Sequence, residues 1–177
     1  DDTRLTFYER TSEQPRMQRG KKEMNGIDLE PHTDFFGWMY YYMNDIKKDY
    51  LGKFPERPFI WAEYSHAMGN SNGNIKDLWD MVYKERQMQG GFIWDFVDQG
   101  LAEYKDGKKY WAYGGDYSPS SYHNDTNFCM NGLVNPDRTP HPALEEVKPD
   151  YQDAKISHLG TISLDLNINL IYHHTVP

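Results

Sequence analysis

The stretch Phe59-Ile60-Trp61-Ala62-Glu63-Tyr64-Ser65-His66 decides the fold of this chain. Its four leading residues are apolar without alternation, which is typical of a strand covered on both faces in a parallel sheet. The arrangement returns at Gly91-Phe92-Ile93-Trp94, where the acidic residue Asp95 follows. Segments of similar composition occupy residues 5–8 and 35–42. Four short apolar segments separated by longer polar stretches predict parallel strands in βαβ units, and therefore an α/β fold.

Helical periodicity fills the interval between the last two predicted strands. The apolar residues there recur at the spacing of one helix face: Ile75, Leu78, Trp79, Val82 and Tyr83. Asn72 or Asn74 could cap this helix, and the Gly90-Gly91 pair is expected to end it. Two weaker helices are predicted, one over residues 42–51 before the prolines at 55 and 58, and one over 143–147 entered through Pro142.

The amino-acid composition changes after Gly100. Residues 103–140 are rich in Gly, Asp, Asn, Ser and Pro, which predicts a long functional loop. From residue 156 onward apolar and polar residues alternate, as in a half-buried antiparallel strand; the apolar set is Ile162, Leu164, Leu166, Ile168 and Leu170. We therefore assign residues 1–154 to the α/β unit and residues 155–177 to the first strands of a following β-domain.

Composition and charge exclude several classes of protein. The 177 residues carry a net charge of −8 at pH 7, which argues against a nucleic-acid partner. The longest uncharged apolar run is nine residues, 35–43, so no membrane association is expected. The single cysteine, Cys129, excludes an internal disulfide. No leader pattern is visible and the chain starts on Asp1, so we expect a natural start further upstream and a cytoplasmic location, with export left open.

Carboxylates and aromatic rings at the strand ends are the candidates for chemistry. Glu63 ends a buried strand, where α/β proteins build their active sites, although from its position alone a strand-end ion pair with a nearby Arg is the commoner explanation. Trp94 could offer a flat apolar face to a sugar ring or merely pack in the core. Asp95 and Asp98 could hold a substrate hydroxyl, but capping of the following loop is the commoner role. The hydroxyl of Tyr40 could reach the same mouth.

Other chemistries find little support in the residue pattern. The best metal candidates lack ligand spacing and are better explained as hydrogen-bonding loop residues: His66, His123, Asp125 and His141. Ser65 lacks the nucleophile-elbow glycines, and Cys129 lies between Phe128 and Met130, which suits a buried thiol. Carboxylates and aromatic rings together at the carboxyl ends of the predicted strands therefore favour a carbohydrate ligand.

Four longer motifs carry a resemblance to a known family. In the order in which they occur, they are AEYSHAMGNS (62–71), QGGFIWDFVDQ (89–99), FCMNGLV (128–134) and DRTPHPAL (137–144). They closely resemble segments of the large bacterial β-galactosidases of glycoside hydrolase family two, and the resemblance covers about residues 1–150. It implies the second half of a catalytic (β/α)₈ TIM barrel, strands five to eight, followed by the start of a β-sandwich domain.

The resemblance also implies a role for particular residues. Glu63 matches the nucleophile that forms a covalent galactosyl-enzyme, Tyr40 a tyrosine that contacts this carboxylate, and His66 a histidine that contacts the sugar. Trp94 matches a tryptophan of the galactose pocket. Asn131, together with the backbone carbonyl of Phe128, matches a sodium site beside the sugar. The implied reaction is retaining hydrolysis of terminal β-galactosyl residues of a lactose-like substrate, which uses two carboxyl groups.

The second carboxyl group is missing from this chain. The family carries its acid/base glutamate in an Asn-Glu pair at the end of barrel strand four, and no Asn-Glu pair occurs here. The magnesium ligands and a third sodium ligand also lie upstream in the family. We therefore expect the 177 residues to be inactive alone and to form part of a longer, homo-oligomeric enzyme. Two alternatives stay open, another family-two glycosidase such as a β-glucuronidase and a non-catalytic carbohydrate-binding module.

Overall fold

A parallel sheet forms the centre of the molecule. The computed structural model describes residues 3–7, 9, 34–53, 57–118, 122–152, 154–158 and 166–170. Strands β1 (Phe36–Met39), β2 (Phe59–Tyr64) and β3 (Met88–Ile93) lie in the order β1-β2-β3, and both pairings are parallel. The prediction of an α/β unit with parallel strands is confirmed over these residues, although they do not by themselves close into a barrel.

Three helices occupy the predicted intervals. They are α1 (Met43–Asp49), α2 (Ile75–Lys84) and, further along the chain, α4 (Pro142–Asp150), which has Pro142 in its first turn as expected. Asn74 stands at the start of α2 with φ +68°, but its side chain caps nothing. The buried Asn72 instead donates to the carbonyl of Ser65.

The prediction that Gly90-Gly91 ends α2 is wrong. The helix ends at Lys84, and both glycines lie within β3. The role of Gly91 is close packing of strands, because a Cβ there would stand 2.6 Å from Trp61 Cβ and 3.0 Å from Trp61 O. A glycine pair before a strand can serve the sheet as easily as it can end a helix.

Aromatic rings dominate the main core. This core lies between the sheet and helices α1 and α2; its buried members are Phe36, Trp38, Tyr41, Ile46, Tyr50, Phe59, Trp61, Tyr64, Met81, Val82 and Met88. Polar atoms on these rings find partners, since Trp61 Nε1 donates to Tyr41 O over 3.0 Å and the Tyr41 phenol donates to Asp49. The high aromatic content thus fills a core in which several of the large rings, among them Tyr41 and Trp61, also make hydrogen bonds.

A second, smaller core joins α2 to α4. Its buried members are Ala67, Ile75, Leu133 and Val147. Beside it, Trp79 Nε1 donates to the Tyr64 hydroxyl over 2.8 Å, and this hydroxyl is also bonded to that of Tyr151. The loop that follows β2 is therefore packed against both helices.

The predicted long loop contains regular structure. Strands β4 (Leu101–Lys105) and β5 (Lys108–Ala112) form an antiparallel hairpin, and a short helix α3 (Gly114–Tyr117) follows. The turn is Asp106-Gly107, with φ of +50° and +74°. An Asp-Gly pair with both residues at positive φ is the common two-residue hairpin turn, so this signal was present in the sequence and was overlooked.

The two ends of the chain differ from expectation in part. Residues 5–7 form no regular strand, although Asp34 N donates to Thr6 O over 2.9 Å and the ring of Phe7 stacks on that of Phe35. Near the other end, β6 (Ala154–His158) and β7 (Leu166–Leu170) pair antiparallel. Tyr8, Ile162 and Leu164 lie outside the described residues. The separate β-domain and its boundary at residue 155 stay predictions.

No helix within the described ranges is long and apolar enough to cross a bilayer.

Candidate active site

The carboxyl ends of the three parallel strands meet at one edge of the sheet. Tyr40 directly follows β1, Glu63 is the penultimate residue of β2, and Trp94 directly follows β3. Tyr40 N donates to Glu63 O over 2.8 Å, and Trp94 N donates to Tyr64 O over 3.1 Å. These backbone bonds hold the three strand ends side by side, at the position where α/β folds place their ligands.

The backbone is unusual on both sides of Glu63. Tyr40 and Ser65 have φ of +54° and +49°, a region that residues with a side chain seldom adopt. The register between β1 and β2 also shifts at Met39 and Glu63. Such conformations persist when surrounding contacts fix them, and they are enriched at functional sites. Here they turn the chain out of the sheet immediately next to the carboxylate.

A cavity of about 610 Å³ opens at this edge. Its lining residues are Tyr40, Glu63, His66, Trp94 and Phe128. All five were singled out from the sequence as candidate site residues, and they come from four separate parts of the chain. The volume lies within the range of small-ligand pockets, roughly 300–1,000 Å³. The cavity lining thus consists of one carboxylate and four rings.

Tyr40 and Glu63 interact within the cavity lining. Burial, then hydrogen bonding to Glu63, then the negative charge of Glu63 raise the pKa of Tyr40 above the usual value of about 10. Tyr40 therefore keeps its proton at neutral pH, and its phenol can donate to the carboxylate.

Rings form the walls of the cavity. The ring of His66 lies 6.1 Å from that of Tyr40 and 5.5 Å from that of Phe128, centroid to centroid. Trp94 is 36% exposed and Phe128 is 52% exposed, so both offer apolar surface to a ligand. His66 Nε2 is buried and has no hydrogen-bond partner within the described part of the chain. A ligand hydroxyl could satisfy this nitrogen.

Asn131 lies beside the cavity but does not line it. Its side chain is 2% exposed, and Oδ1 is buried without a hydrogen-bond partner in the described residues. An unpaired amide oxygen fits a ligand for a hard cation such as Na⁺, which prefers oxygen donors. Over the same residues, no group of three or more His, Cys, Asp or Glu side chains could hold a metal ion.

Asp95 and Asp98 serve the loops rather than the cavity. Asp95 accepts hydrogen bonds from Phe96 N and from Gln99 Nε2. Asp98 is 4% exposed, accepts from Gly132 N and is paired with His141. The loop-capping alternative is therefore confirmed for Asp95, whereas Asp98 joins distant segments instead of capping the loop that follows it. His141 is a loop hydrogen bonder as expected. Asp98 and His141 lie 43 residues apart in the sequence, so no local pattern could predict that they pair.

The family model and the relatives that match this chain point to the same family of proteins. Residues 1–156 match the family model described as glycosyl hydrolases family 2, TIM barrel domain. The chain is 58% identical over 94 residues to a β-galactosidase of Photobacterium profundum, and these residues are 52% of this chain and 9% of the relative. It is 40% identical over 163 residues to a β-galactosidase of Pseudoalteromonas haloplanktis, covering 81% and 16% of the two chains.

A third relative agrees with these two. The chain is 50% identical over 117 residues to a β-galactosidase of Yersinia pestis, covering 66% of this chain and 11% of the relative. The aligned parts thus span between 9% and 16% of the length of these three relatives.

Proposed function

The chain belongs to family 2 of the glycosyl hydrolases and is part of its TIM barrel domain, and from this premise we propose that it carries the nucleophile side of a β-galactosidase active site. The observation that carries the proposal is the cavity at the strand ends, in which the Glu63 carboxylate and the Tyr40 phenol lie among aromatic walls. We propose galactose as the sugar because the three relatives compared above are β-galactosidases.

Glu63 would act as the nucleophile of a retaining hydrolysis. Its carboxylate attacks the anomeric carbon as the bond to the leaving oxygen breaks, and water then releases galactose from the covalent ester. The phenol of Tyr40 holds the carboxylate in place while it is negatively charged, and it keeps its own proton because its pKa is raised. A charge-assisted hydrogen bond of this kind both orients and stabilises the anion.

The second carboxyl group would come from outside these residues. Retaining glycosidases place the acid/base group about 5–5.5 Å from the nucleophile. Among the described residues, Glu63 is the one carboxylate in the cavity lining. We assign β1, β2 and β3 to barrel strands six, seven and eight. The acid/base glutamate then belongs to strand four of a longer protein, and the 177 residues alone would be inactive.

The rings would recognise the sugar. Trp94 and Phe128 present apolar surface to the C–H face of galactose, and the unpaired Nε2 of His66 is available to a hydroxyl. Asn131 Oδ1 and the Phe128 carbonyl would hold a sodium ion, with a further ligand from upstream. This ion would supply positive charge for a sugar oxygen. Magnesium ligands and the contacts of a homo-oligomer would also lie in the longer protein.

Two other functions are less well supported. A β-glucuronidase would need a cation for the carboxylate of its sugar, and the cavity lining includes no Lys or Arg among the described residues. A non-catalytic sugar-binding module would have no use for a tyrosine that donates to a carboxylate in the cavity. Both alternatives are decided by the same kinetic experiment.

The experiment compares Glu63→Gln with Glu146→Gln in the full-length protein. Glu146 is an exposed residue of α4 and serves as the matched control. We expect Glu63→Gln to lower kcat on a nitrophenyl β-galactoside by at least about 10³-fold, because no covalent ester can form. Glu146→Gln should retain wild-type kinetics. Comparable activity of the two variants, or preference of the wild type for the glucuronide, would overturn the proposal.

A further inference from the structure

Two segments that meet beside the cavity are bonded like neighbouring strands. Asp95 N donates to Asn131 O over 2.7 Å, and Leu133 N donates to Asp95 O over 3.0 Å. Val97 and Val134 form a parallel bridge. Residues 94–98 are thereby paired with residues 131–134, although neither forms a full strand. The first segment begins with Trp94 and the second follows closely after Phe128, so the pairing sets the spacing between two walls of the cavity.

A side-chain pair, the buried Asp98 and the partly exposed His141, also holds this contact. One oxygen of Asp98 accepts from Gly132 N over 2.7 Å, and the other lies 2.8 Å from His141 Nε2. Asp98 is 4% exposed, so its carboxylate has little access to water and depends on these two donors. His141 N in turn donates to Leu133 O over 3.0 Å. Three parts of the chain converge on a single carboxylate.

The approach is too close for any side chain at position 132. A Cβ on Gly132 would stand 2.1 Å from Asp98 N and 2.4 Å from the carbonyl carbon of Val97. These are backbone atoms, which cannot turn aside as a side chain can. The glycine therefore allows the two segments to touch, and Asp98 fastens them at the same point.

We infer that Asp98 and His141 are positioning residues that set the width of the sugar-binding cavity. Neither residue lines the cavity, and they act through the pairing of residues 94–98 with 131–134 on Trp94, Phe128 and Asn131. This inference rests on the proposed function, because it concerns the residues that would bind the sugar in that site. Since apolar walls bind substrate and transition state alike, their misplacement should appear in KM more than in kcat.

The test uses three variants of the full-length protein. His141→Ala removes the donor to Asp98, whereas His141→Gln replaces it with an amide N–H that can make the same bond. His123→Ala is the matched control, because the His123 side chain is 94% exposed and bonded only loosely to Asp125 at 3.6 Å. KM and kcat are measured on a nitrophenyl β-galactoside, and hydrogen exchange is measured on the peptide that contains residues 131–134.

We expect His141→Ala to raise KM about tenfold, which is the loss of about 1.4 kcal/mol of binding, with kcat changed less. The amides of Leu133 and Val134 should exchange faster. His141→Gln should recover most of the wild-type KM, and His123→Ala should match the wild type. A residue that merely stabilised the fold would lower the melting temperature and leave KM unchanged.

Two failures can be told apart. If the wild type hydrolyses the galactoside but His141→Ala keeps its KM, the inference about His141 is overturned while the proposed function stands. If the wild type does not hydrolyse the galactoside, the proposed function fails, and the exchange rates still decide whether Asp98 and His141 hold the two segments together. Unchanged exchange in His141→Ala would then overturn the positioning role as well.

Discussion

At the scale of single residues, backbone and side chains both join Tyr40 to Glu63. The backbone N–H of Tyr40 donates to the carbonyl of Glu63 over 2.8 Å. Both side chains line the cavity, and hydrogen bonding to Glu63 contributes to the raised pKa of Tyr40. Tyr40 makes these contacts with φ of +54°.

Substitution of Tyr40 by phenylalanine should affect the chemical step. Loss of a hydrogen bond to a charged group costs about 1.5–3 kcal/mol, so kcat of the full-length protein should fall about 10- to 100-fold. Tyr42→Phe is the control, since that ring is 71% exposed two residues further along. Steady-state kinetics on a galactoside distinguish the two. Equal kcat values for Tyr40→Phe and the wild type would show that the bond does not assist Glu63.

The residues could be selected from the sequence, but their contacts could not. Glu63, Tyr40 and Trp94 stand at the ends of apolar runs, so strand periodicity already placed them at one edge. His66 and Phe128 were selected through the family motifs, and the cavity brings all five together. The bond between Asp98 and His141 joins residues that are 43 positions apart, with the hairpin β4–β5 and helix α3 between them. No local sequence pattern predicts that these two residues meet.

At the scale of elements, the parallel sheet depends on a close approach of β2 and β3. Gly91 lies against Trp61 so tightly that a Cβ would meet its Cβ at 2.6 Å and its carbonyl oxygen at 3.0 Å. Trp61 is 1% exposed and belongs to the main core. The two close atoms are its Cβ and its backbone oxygen, which cannot turn aside as the end of a flexible side chain can.

Substitution of Gly91 by alanine should weaken the sheet. Overpacking of this kind costs about 1–3 kcal/mol, and we expect a lower melting temperature together with a higher KM, because Trp94 follows the same strand. Gly73→Ala is the matched control, since a Cβ there meets no atom within 4 Å and its φ is not positive. Thermal unfolding followed by tryptophan fluorescence measures the difference. An unchanged melting temperature for Gly91→Ala would contradict the packing described here.

Elements were predicted with mixed success, for physical reasons. Helix α2 follows directly from the spacing of Ile75, Leu78 and Trp79, since one apolar face faces the core. The hairpin β4–β5 was missed because its residues are mostly exposed and carry little apolar alternation. Its turn, Asp106-Gly107, held the only clear signal. Composition alone made the region resemble a loop.

At the scale of the whole molecule, the three-stranded sheet has open edges within the described residues. Phe92, the penultimate residue of β3, is 65% exposed, which is unusual for a large apolar ring in a strand of a parallel sheet. In a closed TIM barrel the faces of each strand are covered by the side chains of the barrel interior or by the outer helices. The family match and the short span of the relatives that is aligned both agree with an incomplete barrel.

The incomplete barrel gives a prediction for the chain by itself. The purified 177-residue polypeptide should show no turnover of a nitrophenyl β-galactoside, because the acid/base glutamate is not in the cavity. The full-length protein, assayed in parallel at the same molar concentration, is the positive control. Galactoside hydrolysis by the short chain would mean that its own residues supply the acid, and the proposed division of the active site would be wrong.

The central claim is that Glu63 forms a covalent bond to galactose. A 2-fluoro galactoside with a good leaving group slows the release of the sugar, so the ester accumulates on the nucleophile and its peptide can be found by mass spectrometry after proteolysis. In the full-length protein we expect one fluorogalactosyl label, on Glu63, and none in Glu63→Gln. A label on another carboxylate, or rapid inactivation of Glu63→Gln by the same reagent, would contradict the claim.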